Sequence, residues 1–377
     1  MAVYLDNSAT TKPCREAVEA VNYMMTENFG NPSSLHTPGI EAAKSLISAR
    51  EAIARALGCE KDEIYFTSGA TEANNLALFG SAAAKRRAGN RIVTTAIEHE
   101  SVVAAADELE KQGFEVIRLM PDKHGNISAA DFAEAINDKT ILVSAMYINN
   151  EIGSIMPIDK IKKIIEMKKA PALFHTDCVQ AFGKVKISPR KLGADLISVT
   201  AHKIHGPKGT GALYIKKGTR ILPRVFGGEQ EKRMRPGTEA SPLIAGFGAA
   251  AAALPDTEMQ SQAVSGLNSY LRELLSKIDG IQFNSDENAS PYILNVYVPT
   301  FMRSQTIVQE LSSKYEVYVS NGSACAKGKK SHVLAAMHLS DEIADKSIRI
   351  SFSRFNTKQD CEICAAAIKD LTEKHPR

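Results

Sequence analysis

The chain lacks any apolar run long enough to span a bilayer; its most alanine-rich stretch, 249–254, is short. Its start, Met-Ala-Val-Tyr-Leu-Asp, has no basic region followed by an apolar segment, so no secretory signal is read and a cytoplasmic protein is expected, with no membrane partner. Charge of one sign is scarce as well: 46 Lys and Arg against 43 Asp and Glu leave a net +3. Direct nucleic-acid binding is therefore not expected, and the one small basic cluster, Lys327, Lys329 and Lys330, reads as a solvated loop. Only six cysteines are present, and they are scattered, which excludes a disulfide framework. Cys361 and Cys364 form a C-x-x-C pair, but no second pair or spaced histidines follow. They read as core positions of a helix over 359–371 rather than a metal site. Repeats and low-complexity linkers are absent. The glycine-rich stretch 206–211 lacks the G-K-[ST] pattern of a nucleotide-binding P-loop.

What remains is an ordinary globular composition, 44% hydrophobic and 24% charged, spread over 377 residues. That length is too great for one small core and implies two units. Short apolar runs at 63–67, 91–95, 140–147, 172–176, 195–200 and 211–215 read as strands. Helical patterns at 70–85 and 101–112 lie between them. This alternation predicts an α/β fold with a mostly parallel sheet and helices on both sides. Beyond about residue 261 the pattern changes. A long helix over 261–277 is followed by strands at 292–298, 317–320 and 347–352, with helices at 304–314 and 333–337 between them. A smaller α+β domain is expected there. The division read is 15–260 for the large domain, and 1–14 with 261–377 for the small one, because chain ends often meet.

Three segments carry chemistry. In Thr67-Ser-Gly-Ala-Thr-Glu-Ala-Asn-Asn75 a strand ends, glycine turns the chain and a helix begins. Unpaired N–H groups and the helix dipole at such a start suit an anion, usually phosphate, although a plain capping motif has the same pattern. In Phe174-His-Thr-Asp-Cys-Val-Gln180, Asp177 ends a buried strand, where ligands bind in open α/β sheets. It could pair with a ring-nitrogen cation or cap the next helix. In Ser198-Val-Thr-Ala-His-Lys203, a lysine follows a buried strand at once, which makes its amine a candidate for covalent attachment to a carbonyl. A phosphate turn, an acid and a lysine in this order fit a pyridoxal-phosphate site.

At this point the sequence resembles the class V aminotransferases, specifically cysteine desulfurases of the NifS/IscS type. The resemblance rests on Tyr4-Leu-Asp-Asn-Ser-Ala-Thr-Thr11, Phe29-Gly-Asn-Pro-Ser33, Ser68-Gly-Ala-Thr-Glu72, Glu98-His99, Asn149-Asn-Glu-Ile-Gly153, His202-Lys203 with Gly206-Pro-Lys-Gly209, Arg235-Pro-Gly-Thr238, Ser320-Asn-Gly-Ser-Ala-Cys325 and Ser347-Ile-Arg349. It implies the type I (aspartate aminotransferase) fold of pyridoxal-phosphate enzymes, with a seven-stranded sheet in the large domain.

It also implies roles. Lys203 would carry the cofactor covalently, Asp177 would hold the pyridinium proton, Gln180 would bond the ring hydroxyl, and His99 would stack on the ring and move protons. Ala70, Thr71, Thr200 and His202 would hold the phosphate; family members usually have serine at the position of Thr200. Thr238 would reach the phosphate of a neighbouring subunit, which implies a homodimer. Arg349, with Asn31, would bind the substrate carboxylate, for which a planar guanidinium fork is suited. Asn150 would lie near substrate and cofactor. Cys325 lies in a small-residue, polar stretch beside lysines that favour the thiolate. By resemblance it takes sulfur from L-cysteine as a persulfide, leaves alanine, and passes the sulfur to an acceptor protein such as an iron–sulfur scaffold or a tRNA-thiolation protein. The stretch after Cys325 is shorter than in the best-known relatives, which bears on its reach. The alternatives weighed are selenocysteine lyase, another class V aminotransferase or lyase, and a sulfur-relay protein with a vestigial pocket.

Overall fold

The computed structural model describes residues 2–322 and 331–376. Twelve strands occur among them: β1 (Val3–Tyr4), β2 (Ile64–Thr67), β3 (Arg91–Thr95), β4 (Glu115–Leu119), β5 (Thr140–Ser144), β6 (Leu173–Asp177), β7 (Leu196–Thr200), β8 (Gly211–Ile215), β9 (Gln282–Phe283), β10 (Ile293–Tyr297), β11 (Val317–Tyr318) and β12 (Ser347–Ser351). Seven of them form one sheet in the order β2-β8-β7-β6-β5-β3-β4. Only β8 runs against its neighbours. The predicted α/β fold with a mostly parallel seven-stranded sheet is the fold observed.

Burial explains why the central strands read as unbroken apolar runs. Every residue of β5, β6, β7 and β8 is buried, because helices cover both faces. The edge strand β4 is buried only at Val116 and Leu119, so it offers no such run, and the sequence reading missed it. The apolar run expected over 140–147 leaves the ladder at Ser144. Even so, the N–H groups of Ala145 and Tyr147 still donate to β6, at 3.2 Å to His175 O and 2.9 Å to Asp177 O.

The part after residue 256 opens with the helix Thr257–Leu275 and includes the three-stranded antiparallel sheet β12-β10-β9. The N-terminus joins this part: β1 pairs in parallel with β11, and Asp6 bridges to Ser351 of β12. From there the chain reaches the turn that follows β7, where the Thr11 N–H donates to His202 O at 2.9 Å. Cys361 and Cys364 lie buried on the helix Lys358–Lys374, and burial pushes both thiols up, Cys361 to about 11.

Candidate active site

Parallel strands deliver their C-terminal ends to one edge of the sheet. There β2 ends before Ser68-Gly69, β3 before Glu98-His99, β5 before Asn149-Asn150, β6 at Asp177, and β7 just before the turn Ala201–Lys203. A cavity of about 600 Å³ opens at this edge. Ala70, Thr71, His99, Asn150, Asp177, Gln180, Thr200, His202, Lys203 and Arg349 all line it, although the sequence scatters them over 280 positions. Asn31 and Thr238 do not line it; both are exposed, and the Asn31 side chain accepts the Ser33 N–H at 2.9 Å. Cys325, with Lys327, Lys329 and Lys330, lies outside the described residues.

The phosphate turn is built by close approach. A Cβ on Gly211, the first residue of β8, would stand 2.8 Å from the Gly69 backbone and 2.7 Å from Val199 O. Glycine there lets β8 run under the turn. The helix Ala70–Lys85 that follows has no side-chain cap on its first turn. Its first residues, Ala70 and Thr71, line the cavity, where the N–H groups of a helix start suit an anion. Glu72 also lines the cavity, with its carboxylate accepting from Ser68 N at 2.6 Å and pairing with Arg235 at 3.0 Å. The Thr200 hydroxyl donates to Thr210 O at 3.0 Å, and His202 Nδ1 lies 3.3 Å from Thr10 Oγ1.

Asp177 is buried and fixed at both oxygens. Asn74 Nδ2 donates to one at 2.8 Å and the Val179 N–H to the other at 2.9 Å. Asn74 in turn reaches Ser101 Oγ at 2.9 Å. His99 caps the helix Glu100–Lys111, accepting at Nδ1 from the Ser101 N–H at 3.2 Å. Burial holds its pKa below the ordinary histidine value, and Lys203 pushes the same way against Asp177. The ring is thus neutral at neutral pH. Gln180 Nε2 donates to Ser8 O at 3.0 Å, and Lys203 Nζ donates to Ala9 O at 2.8 Å and also to Ser8 O. Arg349 is fully buried. It gives Nη2 to Asp6 at 2.8 Å and Nη1 to Asn150 O at 2.8 Å. Arg349 Nε and Asn150 Oδ1 are buried without a protein partner among the described residues.

Sequence reading missed the supports: Asp6, Ser8, Asn74, Glu98, Lys184 and His332. The first four fall inside quoted motifs, but nothing local says which distant group each meets; His332 Nε2 lies 2.9 Å from Glu98 O.

A strand-end lysine, acid and uncapped helix N-terminus sharing one cavity define a site of the type I fold, and the chain belongs to the class V aminotransferases, whose family model matches residues 3–363. These are pyridoxal-phosphate enzymes. Within the class, the chain is 43% identical to the cysteine desulfurase IscS of Methanosarcina thermophila, over 99% of this chain and 92% of that one. It is 40% identical to the IscS of Dictyoglomus turgidum, over 99% and 95%. Among solved structures it superposes on a NifS-like protein with a TM-score of 0.93 at 35% identity, covering 99% of this chain and 100% of that one. It also superposes on SspA in complex with cysteine, with a TM-score of 0.83 at 33% identity, covering 94% and 100%.

The residues present fit the family's cofactor. An anion cradle, a fixed carboxylate, an amide donor, an amine and a neutral imidazole line one cavity, and two orphaned buried polar atoms border it.

Proposed function

We propose that this chain is a cysteine desulfurase that converts L-cysteine to L-alanine and holds the sulfur as a persulfide on Cys325. The observation that carries the reading is the convergence of Lys203, Asp177, Gln180, His99 and Arg349 on one cavity in a chain whose relatives carry that name. Pyridoxal phosphate, when bound, supplies an electron sink that makes the Cα–H of an amino acid acidic.

The protein's own residues do the rest. The N-terminus of the helix Ala70–Lys85, with Thr71, Thr200 and His202, would hold the phosphate. Asp177, kept rigid by Asn74 and Val179, would accept the ring-nitrogen proton. Lys203 would attach the cofactor and, once displaced by substrate, take the Cα proton. His99, neutral through burial, can carry a proton between substrate and solvent. Arg349 would bind the substrate carboxylate, and Asn150 would lie beside it. The Cys325 thiolate then attacks the substrate sulfur. The Cβ–S bond breaks, the S–S bond forms, and Cβ takes a proton, so cysteine plus thiol becomes alanine plus persulfide.

The reading extends to a homodimer in which Thr238, exposed and outside its own subunit's cavity, serves the neighbouring site, and to Asn31, likewise exposed and outside the cavity, as a further holder of the substrate carboxylate. It includes the division 15–260 against 1–14 with 261–377, a cytoplasmic setting, and transfer of sulfur to a separate acceptor protein. No helix among the described residues is long and apolar enough to cross a membrane.

The test mixes purified protein with L-cysteine and dithiothreitol and measures sulfide and alanine beside Cys325→Ala. Equal sulfide and alanine are expected, with a variant that binds cofactor and releases no sulfide. A yellow protein inert to cysteine would sink the activity while sparing the cofactor assignment, and selenocysteine would be the next substrate tried.

A further inference from the structure

Four residues past Gln180 the chain buries a lysine. Gly183 makes the turn: it is left-handed, with φ 72°, and a Cβ there would meet Leu254 at 2.8 Å and Ile204 at 2.9 Å. The turn sends Lys184 inward rather than to solvent, and only 5% of it is exposed. Its Nζ donates to Gln180 Oε1 at 2.9 Å and lies 5.4 Å from the centre of the Tyr292 ring. In its ammonium form Lys184 is a donor only, and the Ser8 carbonyl on the other side of the amide is an acceptor only. Together they leave Gln180 one orientation: Oε1 toward Lys184, Nε2 toward Ser8 O and the cavity. The second N–H of Nε2 then has a defined direction.

We infer that Lys184 is a positioning residue that fixes Gln180 as a hydrogen-bond donor toward whatever ring oxygen enters the cavity. The inference rests on the pyridoxal-phosphate reading above. A buried lysine needs a reason to stay. Burial, with Lys203 and Arg349 adding repulsion, lowers its pKa to about 7, a standing destabilisation that a packing residue such as methionine would avoid. The charged and titratable groups around it are Lys203, Arg349, His202, His205 and Tyr292, whose hydroxyl accepts from Gln260 at 2.7 Å, and Arg354 lines the same small cavity.

A donor aimed at the ring oxygen stabilises its anion and so lowers the pH at which the visible band of the bound cofactor titrates. Lys184→Met is expected to raise that midpoint by about 1 unit, the scale of one hydrogen bond to a charged group. Gln180→Ala is expected to do the same. Because Lys184 acts through Gln180, the double variant should move little beyond Gln180→Ala alone. An unmoved midpoint in Lys184→Met, or a double variant whose shift equals the sum of the two, overturns the inference. If Lys184→Met does not fold, Lys184→Gln, whose amide accepts as well as donates and so no longer dictates the orientation of Gln180, serves in its place. A midpoint raised by up to the shift of Gln180→Ala supports the role, and an unmoved one removes it. A wild-type protein that takes up no cofactor fails the underlying reading instead, so the two failures are distinguishable.

Discussion

Glu98 shows how much a single side chain beside the site is asked to tolerate. It is fully buried, and one oxygen accepts from Thr95 Oγ1 at 2.7 Å and from the Met146 N–H at 3.0 Å. The other oxygen, Oε2, has no partner among the described residues. Burial raises its pKa from 4.5 to about 8; the two hydrogen bonds oppose the rise and Asp177 adds to it. The folded pKa lies above the unfolded one, so folding favours the protonated acid. That contribution is complete below pH 4.5 and is lost as pH rises through about 8. Glu98→Gln mimics the neutral acid at every pH. Its stability should therefore gain on the wild type across this window, by at most about 1.4 kcal/mol per pH unit. Urea unfolding of both proteins at pH 5.5 and 8.5, values chosen on the order of the window's two ends, checks this; a constant gap between them would show that Glu98 is charged throughout. At this scale the sequence revealed chemistry but not its supports. Asp177 and Lys203 stand out because a strand end is a local signal. Asn74 holds Asp177 from 103 residues away, and Gln180 finds Ser8 O from 172, distances over which no local pattern carries information.

Among elements, legibility follows burial. The strands buried on both faces announced themselves as apolar runs, while β4 and the two-residue strands β1 and β9 did not. Ser320, expected to end a strand over 317–320, instead bridges to Arg349 after β11 stops at Tyr318. The segment before Arg235-Pro-Gly-Thr238 was unreadable for another reason. Glu231, Lys232 and Arg233 are all left-handed, with φ of 46°, 56° and 66°, a conformation their residue types do not advertise. The strain is held by Glu231, which turns its buried carboxylate onto Arg50 of the helix Thr37–Leu57 at 2.6 Å and onto the Phe66 N–H of β2 at 2.9 Å. Arg50 also lies 4.4 Å from the centre of the Phe66 ring. Glu231→Ala leaves Arg50 half-desolvated and removes the buried anchor of the three left-handed residues. A loss of about 3 kcal/mol in urea unfolding is expected. Faster amide exchange confined to the segment 229–238 is expected with it. Unchanged exchange there would mean that the chain holds this shape without the ion pair.

For the molecule as a whole, the site lies where the chain's two ends meet. The N-terminal segment contributes no strand to the large sheet, yet its backbone carbonyls at Ser8 and Ala9 receive Lys203, and Ser8 O receives Gln180. Its Asp6 faces Arg349, which comes from β12 in the sheet at the other end of the sequence. The first residues therefore tie the large sheet's functional edge to the C-terminal part, and one ion pair spans the junction. The Arg349 side chain is 2% exposed and that of Asp6 23%, so the pair is largely out of water. Removing one partner of such a pair costs more than the pair contributes, because the remaining charge stays buried. Asp6→Asn is expected to lower stability by about 3 kcal/mol in urea unfolding. Part of that loss should return when L-alanine is present, since its carboxylate can answer Arg349 where Asp6 no longer does and ligand binding favours the folded chain. Asp6→Ala, tested alongside, should lose at least as much. If both variants unfold at the wild-type midpoint, Asp6 is not what joins the two ends, and the junction is held by β1 on β11 and by the bonds of Tyr4 and Asn7 to Ser351 and Asn356.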